Sequence, residues 1–322
     1  MEILHGLPGL RQLPARSVLS IGNFDGVHLG HRHILSTARA IANAGGGVAQ
    51  AVITFEPHPL TVLRPKLVPP RLTPPEFKQE LLREAGVEFL CILPPEPEVL
   101  GLSAEKFWEI LRDEIRAAWL VEGSTFRFGK GAAGTVDKLK LWTAGAQTQL
   151  RVVDSVQVAL LNLQVIPVSS SAIRFLLDTG RVRDAAIALG RPHRLIGTVV
   201  EGFQRGRKLG FPTANLKCEN LQVPSDGVYA GRCTIDGRTY PAAVSIGSLP
   251  TFTENAYQIE AHLIDFAGDL YGKSIGVDLL DWLREQIKFT GIEALKSQLH
   301  RDITLCRAMV DTNPSRPIAV VA

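Results

Sequence analysis

The segment Gly22-Asn23-Phe24-Asp25-Gly26-Val27-His28-Leu29-Gly30-His31 sets two imidazoles three residues apart between a short apolar run and an amphipathic one. A strand-to-helix turn of this kind is where α/β sheets bind ligands, and the unpaired N–H groups at the helix start favour phosphate. His28 and His31 can face one anion there, donate to its oxygens and stabilise charge as pyrophosphate leaves, with no covalent intermediate. Alone, the pair reads equally well as polar helix-entry residues. Thr54-Phe55-Glu56-Pro57-His58-Pro59 closes the next strand at the same sheet edge, and Gly123-Ser124-Thr125-Phe126-Arg127-Phe128-Gly129-Lys130 follows another. Ser169-Ser170-Ser171-Ala172-Ile173-Arg174 adds hydroxyls and an arginine at a helix start, where a plain N-cap would also explain the serines.

A second constellation lies further along. Gly202-Phe203-Gln204-Arg205-Gly206-Arg207-Lys208-Leu209-Gly210 is a glycine-rich basic loop, running into Phe211-Pro212-Thr213-Ala214-Asn215. Glycines let backbone approach phosphate, and the flanking cations offset its charge. Thr213 and Asn215 put neutral oxygens two positions apart, suited to a magnesium ion that keeps waters and phosphate oxygens. No GK[ST] closes the loop, so it is not a Walker A motif. Glu260 stands on an alternating segment, opposite the apolar face of Ile259 and Ala261. Without further context it reads as an exposed strand glutamate.

The elements that must position these residues fall into two patterns. Val18–Ile21 reads as a buried strand, Ile34, Leu35, Ala38, Ile41 and Ala42 recur at helical spacing, Gly45-Gly46-Gly47 stops that helix, and Val48–Phe55 is a second strand. Strand, helix and strand form a right-handed βαβ unit. Helices near Phe77–Glu84 and Ala104–Arg116 and strands near Phe89–Leu93 and Trp119–Val121 continue it. Ile173–Leu189 reads as a helical stretch closing the first domain. After about residue 190, short strands and turn signals predict a small barrel or sandwich, with Asp236-Gly237 as a two-residue hairpin turn and a last helix through Ile292, Leu295, Leu299 and Ile303. The expected division is 1–187 and 188–322.

Composition agrees with two ordinary cores: 322 residues, 45% hydrophobic and 21% charged. A formal charge of +3, with no interleaving of basic and aromatic residues, argues against a nucleic-acid protein. Cys91, Cys218, Cys233 and Cys306 are scattered and read as reduced, inert thiols. No apolar run reaches membrane-spanning length and no leader pattern opens the chain, so a cytoplasmic protein without membrane contact is expected. It is read as a monomer or weak homo-oligomer.

Taken together, GNFDGVHLGH, TFEPHP, FRFGKG and SSSAIR resemble the bacterial bifunctional riboflavin kinase/FAD synthetase family, and the Gly202–Asn215 segment is similar to its riboflavin kinase signature. The resemblance spans nearly the whole chain. It implies an N-terminal Rossmann-like nucleotidyltransferase domain and a C-terminal six-stranded β-barrel with a terminal helix. The implied activities are phosphorylation of riboflavin to FMN and adenylylation of FMN to FAD, using ATP and Mg2+. By the same resemblance His28 and His31 bind ATP phosphates, with Gly22, Asn23, Phe24 and Asp25 in that nucleotide-binding turn. Ser169, Ser170 and Arg174 hold the β- and γ-phosphates, Arg174 being counted with the catalytic groups. Phe55, Pro57, Thr125, Phe126, Phe128 and Arg284 are flavin-binding. Gly202, Arg205, Gly206, Lys208 and Gly210 form the kinase nucleotide loop, Thr213 and Asn215 hold the metal, and Glu260 is the general base for the riboflavin 5′-hydroxyl.

Four places depart from the family pattern, the mildest being Ser171, where threonine is usual. Thr125 stands where Asn or Asp is usual, Ala132-Ala133 where an arginine is common, and Leu249 where a polar residue is frequent. Thr125 and Ala132-Ala133 motivate an alternative, a riboflavin kinase whose first domain binds nucleotide or flavin with little FAD synthesis. A flavin-binding carrier is the non-enzyme reading.

Overall fold

The computed structural model describes residues 1–202, 206, 209–248 and 257–312. The chain divides into two compact units, residues 1–69 with 75–156 and residues 70–74 with 157–322.

The first unit is built on β1 (Glu2–His5), β2 (Val18–Ile21), β3 (Gln50–Phe55), β4 (Phe89–Leu93), β5 (Trp119–Gly123), the short pair β6 (Arg127–Phe128) and β7 (Gly134–Thr135), and β8 (Gln149–Val153). Six of these form a parallel sheet in the order β1-β4-β3-β2-β5-β8. From β2 the chain winds outward through β3 and β4, then crosses back to place β5 on the other side of β2. The carboxyl ends of β2 and β5 thus flank the topological switch point, where open α/β sheets bind ligands. β2 is buried along its whole length, and the helix Leu29–Ala44 covers the sheet with Leu35, Ala38 and Ala42. The expected helix 104–116 is instead Ala104–Glu109 followed by a π turn, Ile110–Glu114. That turn lets Phe107, Trp108, Ile110, Leu111 and Ile115 all reach the core.

The second unit begins with the antiparallel pair β9 (Gln157–Ala159) and β10 (Val165–Pro167). The expected helical stretch 173–189 is two helices, Ser170–Asp178 and Val182–Leu189, broken at Gly180 with φ of +73°. A Cβ on Gly180 would stand 2.8 Å from Ser225 Oγ, so only glycine fits that corner. Both helices cluster with the barrel rather than with the parallel sheet. The segment 70–74 joins them through a bridge between Arg71 and Leu221.

β11 (His193–Val200), β12 (Ala214–Lys217), β13 (Gly227–Ile235), β14 (Arg238–Ser248), β15 (Tyr257–Leu263) and β16 (Ser274–Arg284) close into a barrel in the order β11-β12-β15-β14-β13-β16. Every pairing is antiparallel. β13 and β14 turn at Asp236 and Gly237, both with positive φ, as the two-residue hairpin signal predicts. The terminal helix Ile292–Thr312 seats Cys306, Ile303 and Met309 against Ala230, Ile264 and Leu283. All four cysteines are free, and burial pushes the Cys91 and Cys306 thiols up to about 12.

Candidate active sites

In the first unit the chain leaves β2 through a tight turn. Phe24 (φ +49°), Gly26 (φ +87°) and Val27 (φ +38°) all have left-handed backbone. Such geometry costs a non-glycine residue about 1–3 kcal/mol. Full burial of the Phe24 and Val27 side chains contributes a similar amount each, about 1.5–3 kcal/mol, and so holds the turn. The result aims the start of helix Leu29–Ala44 at the switch point. His28 is its N-cap, with Nδ1 accepting from His31 N–H at 3.3 Å. A neutral His28 ring therefore carries its proton on Nε2. The two rings stack with centroids 3.6 Å apart, and Phe24 flanks His31 at 5.1 Å. Desolvation in this packing holds the His31 pKa well below its usual value, helped by the charges of His28 and Lys78. Nδ1 of His31 is buried without a hydrogen-bond partner among the described residues.

The TFEPHP segment supplies the neighbouring wall. Asn23 approaches His58 Nε2 at 3.1 Å, and Leu60 N–H donates to His58 Nδ1 at 3.1 Å. The Asn23 atom at that distance is Nδ2; since Nδ1 accepts, Nε2 of a neutral ring carries the proton, and turning the carboxamide about its own axis puts its oxygen there as the acceptor. Thr54 Oγ1 donates to the Asn23 carbonyl at 3.2 Å. Lys78, buried on the helix Pro75–Glu84, pairs with Glu56 at 3.0 Å. His58 and Lys78 were not singled out from sequence. His58 lay inside a quoted motif, whereas Lys78 is an ordinary charge in a helical pattern.

The proposed flavin residues separate by environment. Phe55 and Phe126 are half-buried and pack against the main core of this unit. Phe128 is buried, stacked on Phe126 at 5.4 Å and set against Phe107 and Trp142. Pro57 and Thr125 are exposed. Phe128 therefore supports the wall from behind, while the other four stand nearer the surface.

In the second unit Asn215 on β12 lies directly across from Glu260 on β15, and Glu260 is in turn paired with Ser245 on β14. Ile259, Ala261 and Leu263 are buried while Glu260 and His262 are half-buried, which is the alternation read from sequence. Thr213 and Asn215 line a cleft of about 560 Å³ with Gly202, Val199, Leu270 and Tyr271. A Cβ on Gly202 would collide with the Asn215 carboxamide, and one on Gly206 would collide with the Phe211 carbonyl and sit 3.4 Å from Thr213 Oγ1. Gly202 and Gly206 thus lie closer to Asn215 and Thr213 than a residue with a side chain could. Among the described residues no group of three His, Cys, Asp or Glu side chains is arranged to hold a metal. A divalent cation here would use neutral protein oxygens and substrate phosphate, a donor set that suits magnesium. Gly210, φ +91°, turns the chain into Phe211. Arg205 and Lys208 lie outside the described residues, as does Leu249.

Arg284 grips Asp302 of the terminal helix, Nη2 to Oδ2 at 2.8 Å and Nε to both oxygens at 3.1 and 3.2 Å, and donates from Nη1 to the Glu285 carbonyl at 3.0 Å. Ser169 caps the helix Ser170–Asp178, its Oγ accepting from Ala172 N–H at 3.2 Å, and Arg174 Nε donates to the Pro70 carbonyl at 2.8 Å. These three residues and Ser170 belong to the second unit, the histidine turn to the first.

Comparison with known proteins bears on both units. The FAD synthetase family model matches residues 10–171 and the riboflavin kinase model residues 189–310. A bifunctional riboflavin kinase/FMN adenylyltransferase of Pseudomonas fluorescens is 36% identical over 98% of this chain and 100% of its own length. The protein of the same name from Bacillus subtilis is 34% identical over 94% of this chain and 95% of its own. Among solved structures, a chain titled macrolide-efflux protein from Streptococcus pneumoniae superposes with a TM-score of 0.83 at 29% identity, covering 95% of this chain and 99% of that one. Among the described residues here, no helix is long and apolar enough to cross a membrane. With relatives aligned end to end and each half matched by its own model, the chain belongs to the bifunctional riboflavin kinase/FMN adenylyltransferase family.

Proposed function

We propose that the barrel transfers the γ-phosphoryl group of ATP to the 5′-hydroxyl of riboflavin, and that the parallel-sheet unit joins the resulting FMN to the adenylyl group of a second ATP. The observation that carries this reading is the facing of Asn215 and Glu260 across two strands, beside the cleft lined by Thr213 and Asn215. Phosphoryl transfer is mainly positioning and charge stabilisation. Thr213 and Asn215 would hold Mg2+ together with the phosphates, where it would supply positive charge, and Glu260 takes the hydroxyl proton as the phosphoryl group moves and ADP leaves. Gly202, Arg205, Gly206, Lys208 and Gly210 follow the triphosphate.

In the other reaction the FMN phosphate attacks the α-phosphorus of ATP and pyrophosphate leaves. His28 and His31 donate to phosphate oxygens at the helix start, which favours anions. Gly22, Asn23, Phe24 and Asp25 shape that turn. Phe55, Pro57, Thr125 and Phe126 take the flavin, with Phe128 behind them. Ser169, Ser170 and Arg174 remain proposed phosphate ligands, and Arg284 a flavin contact of the kinase. The chemical division is placed at 187/188, the location in the cytoplasm, and the state as monomer or weak homo-oligomer.

The test is direct. Purified protein is given riboflavin and Mg-ATP, and riboflavin, FMN and FAD are resolved by chromatography. Sequential FMN and FAD support both activities, FMN alone leaves the kinase only, and neither product refutes the proposal.

A further inference from the structure

The ladder between β12 and β15 stops at Ala214 and Ala261, immediately after the Asn215 and Glu260 rung. Continued by one residue, the same register would set Thr213 opposite His262. The chain just before Thr213 is Pro212, which has no N–H to donate. The strand end is closed by a side chain instead: His262 Nδ1 lies 2.7 Å from the Pro212 carbonyl oxygen. A carbonyl only accepts, so Nδ1 carries the proton and donates.

His262 shares the outward face of β15 with Glu260, two residues away. Its ring meets the ring of Phe211 nearly perpendicularly, centroids 5.8 Å apart, and His300 of the terminal helix meets the same ring at 5.2 Å. Phe211 is buried, and its N–H donates to the Gly206 carbonyl at 2.8 Å. The two residues that lead into Thr213 are therefore held from β15, from the terminal helix and from the glycine loop.

We infer that His262 is a positioning residue for phosphoryl transfer, whose Nδ1–H fixes the Pro212 carbonyl and so sets the Thr213 and Asn215 oxygens against Glu260. This role rests on the kinase reading of the same cleft. His262 acts through Pro212 and needs no contact with either substrate.

Three variants test it in the full-length protein. His262→Asn keeps an N–H where Nδ1 stands, His262→Gln carries it one methylene further out, and His262→Leu removes it. Riboflavin phosphorylation is measured against Mg-ATP, free magnesium and riboflavin, with adenylylation of supplied FMN as a control. For the Leu and Gln variants the KM for Mg-ATP and the half-saturating magnesium concentration rise about tenfold, the equivalent of one lost hydrogen bond, while the KM for riboflavin stays within about twofold. The Asn variant stays within about threefold of the parent in all three. Because Asn and Gln are both polar and similar in size, their contrast holds even where Leu fails to fold. Gln matching Asn, or Asn falling to the level of Leu, overturns the role of Nδ1. A parent that does not phosphorylate riboflavin overturns the reading of the cleft itself, whereas an active parent matched by all three variants overturns only His262.

Discussion

Asn215 and Glu260 are cross-strand partners, one rung of the ladder that joins β12 to β15. Directly opposed residues project to the same side, with Cβ atoms about 4.5–5.5 Å apart. A ligand oxygen held by Asn215 is therefore within reach of the Glu260 carboxylate. Glu260→Gln keeps the shape and removes the basicity, so riboflavin phosphorylation falls by about 10²–10⁴-fold. Adenylylation of supplied FMN is unchanged. Turnover near the parental rate removes Glu260 from the mechanism.

Gly202→Ala should damage the same site without touching an oxygen ligand. Its methyl group would occupy the space of the Asn215 carboxamide, so either the loop or the amide must move. The expected result is a higher half-saturating magnesium concentration, with partial rescue by added magnesium, and a higher KM for Mg-ATP in the kinase reaction, in the direction also expected of Thr213→Ala and Asn215→Ala. Steady-state kinetics at several magnesium concentrations check it, and parental behaviour would show that Gly202 does not need to pack on Asn215.

His31 gives a titration test of the other site. Its folded pKa lies below the unfolded value, so it adds stability above the ordinary histidine range and loses it as pH falls. Lys78 is one of the charges that lower it. Lys78→Met should therefore move the His31 titration upward, followed by imidazole NMR. An unchanged midpoint means that Lys78 does not act on the ring. His28→Ala and His31→Ala should each reduce FAD formation by about 10²–10³-fold while riboflavin phosphorylation continues.

Glu122 predicts a pH effect on stability. Its carboxyl accepts the Ile21 N–H at 2.8 Å, beyond the last backbone rung between β2 and β5, and is almost fully buried. Desolvation raises its pKa well above the ordinary value, outweighing that hydrogen bond. The native state then binds the proton more tightly, so this contribution is complete below the unfolded pKa and is lost as pH rises toward the folded one. Glu122→Gln retains an acceptor for Ile21 without the ionisation. Urea midpoints of parent and variant should converge near pH 4, where the unfolded carboxyl is also largely protonated, and separate toward pH 8 in favour of Gln. A parent that gains on the variant as pH rises contradicts the burial argument.

Much of this was legible in local sequence. Helical spacing around Leu35, Ala38 and Ala42 placed the helix after the histidines, because one buried face imposes that period. Alternation from Ile259 to Leu263 placed Glu260 on the wetter side of its strand. Asp236-Gly237 marked its hairpin because few other pairs accept positive φ at both positions. β1 and β8 left little trace, being short strands at the sheet edges. The break at Gly180 was hidden because helical periodicity continues on both sides, and Ser225, far along the chain, makes the corner too tight for a side chain.

The sequence by itself determined the chemistry on offer: imidazoles at a helix entry, glycines before paired oxygens, and a carboxylate on an alternating strand. Only the tertiary structure decided which groups meet, Asn215 with Glu260, Pro212 with His262, Arg284 with Asp302. Local periodicity reports which face of an element is buried. Barrel closure and register, which select the partner, arise from pairings between distant segments that no local window contains.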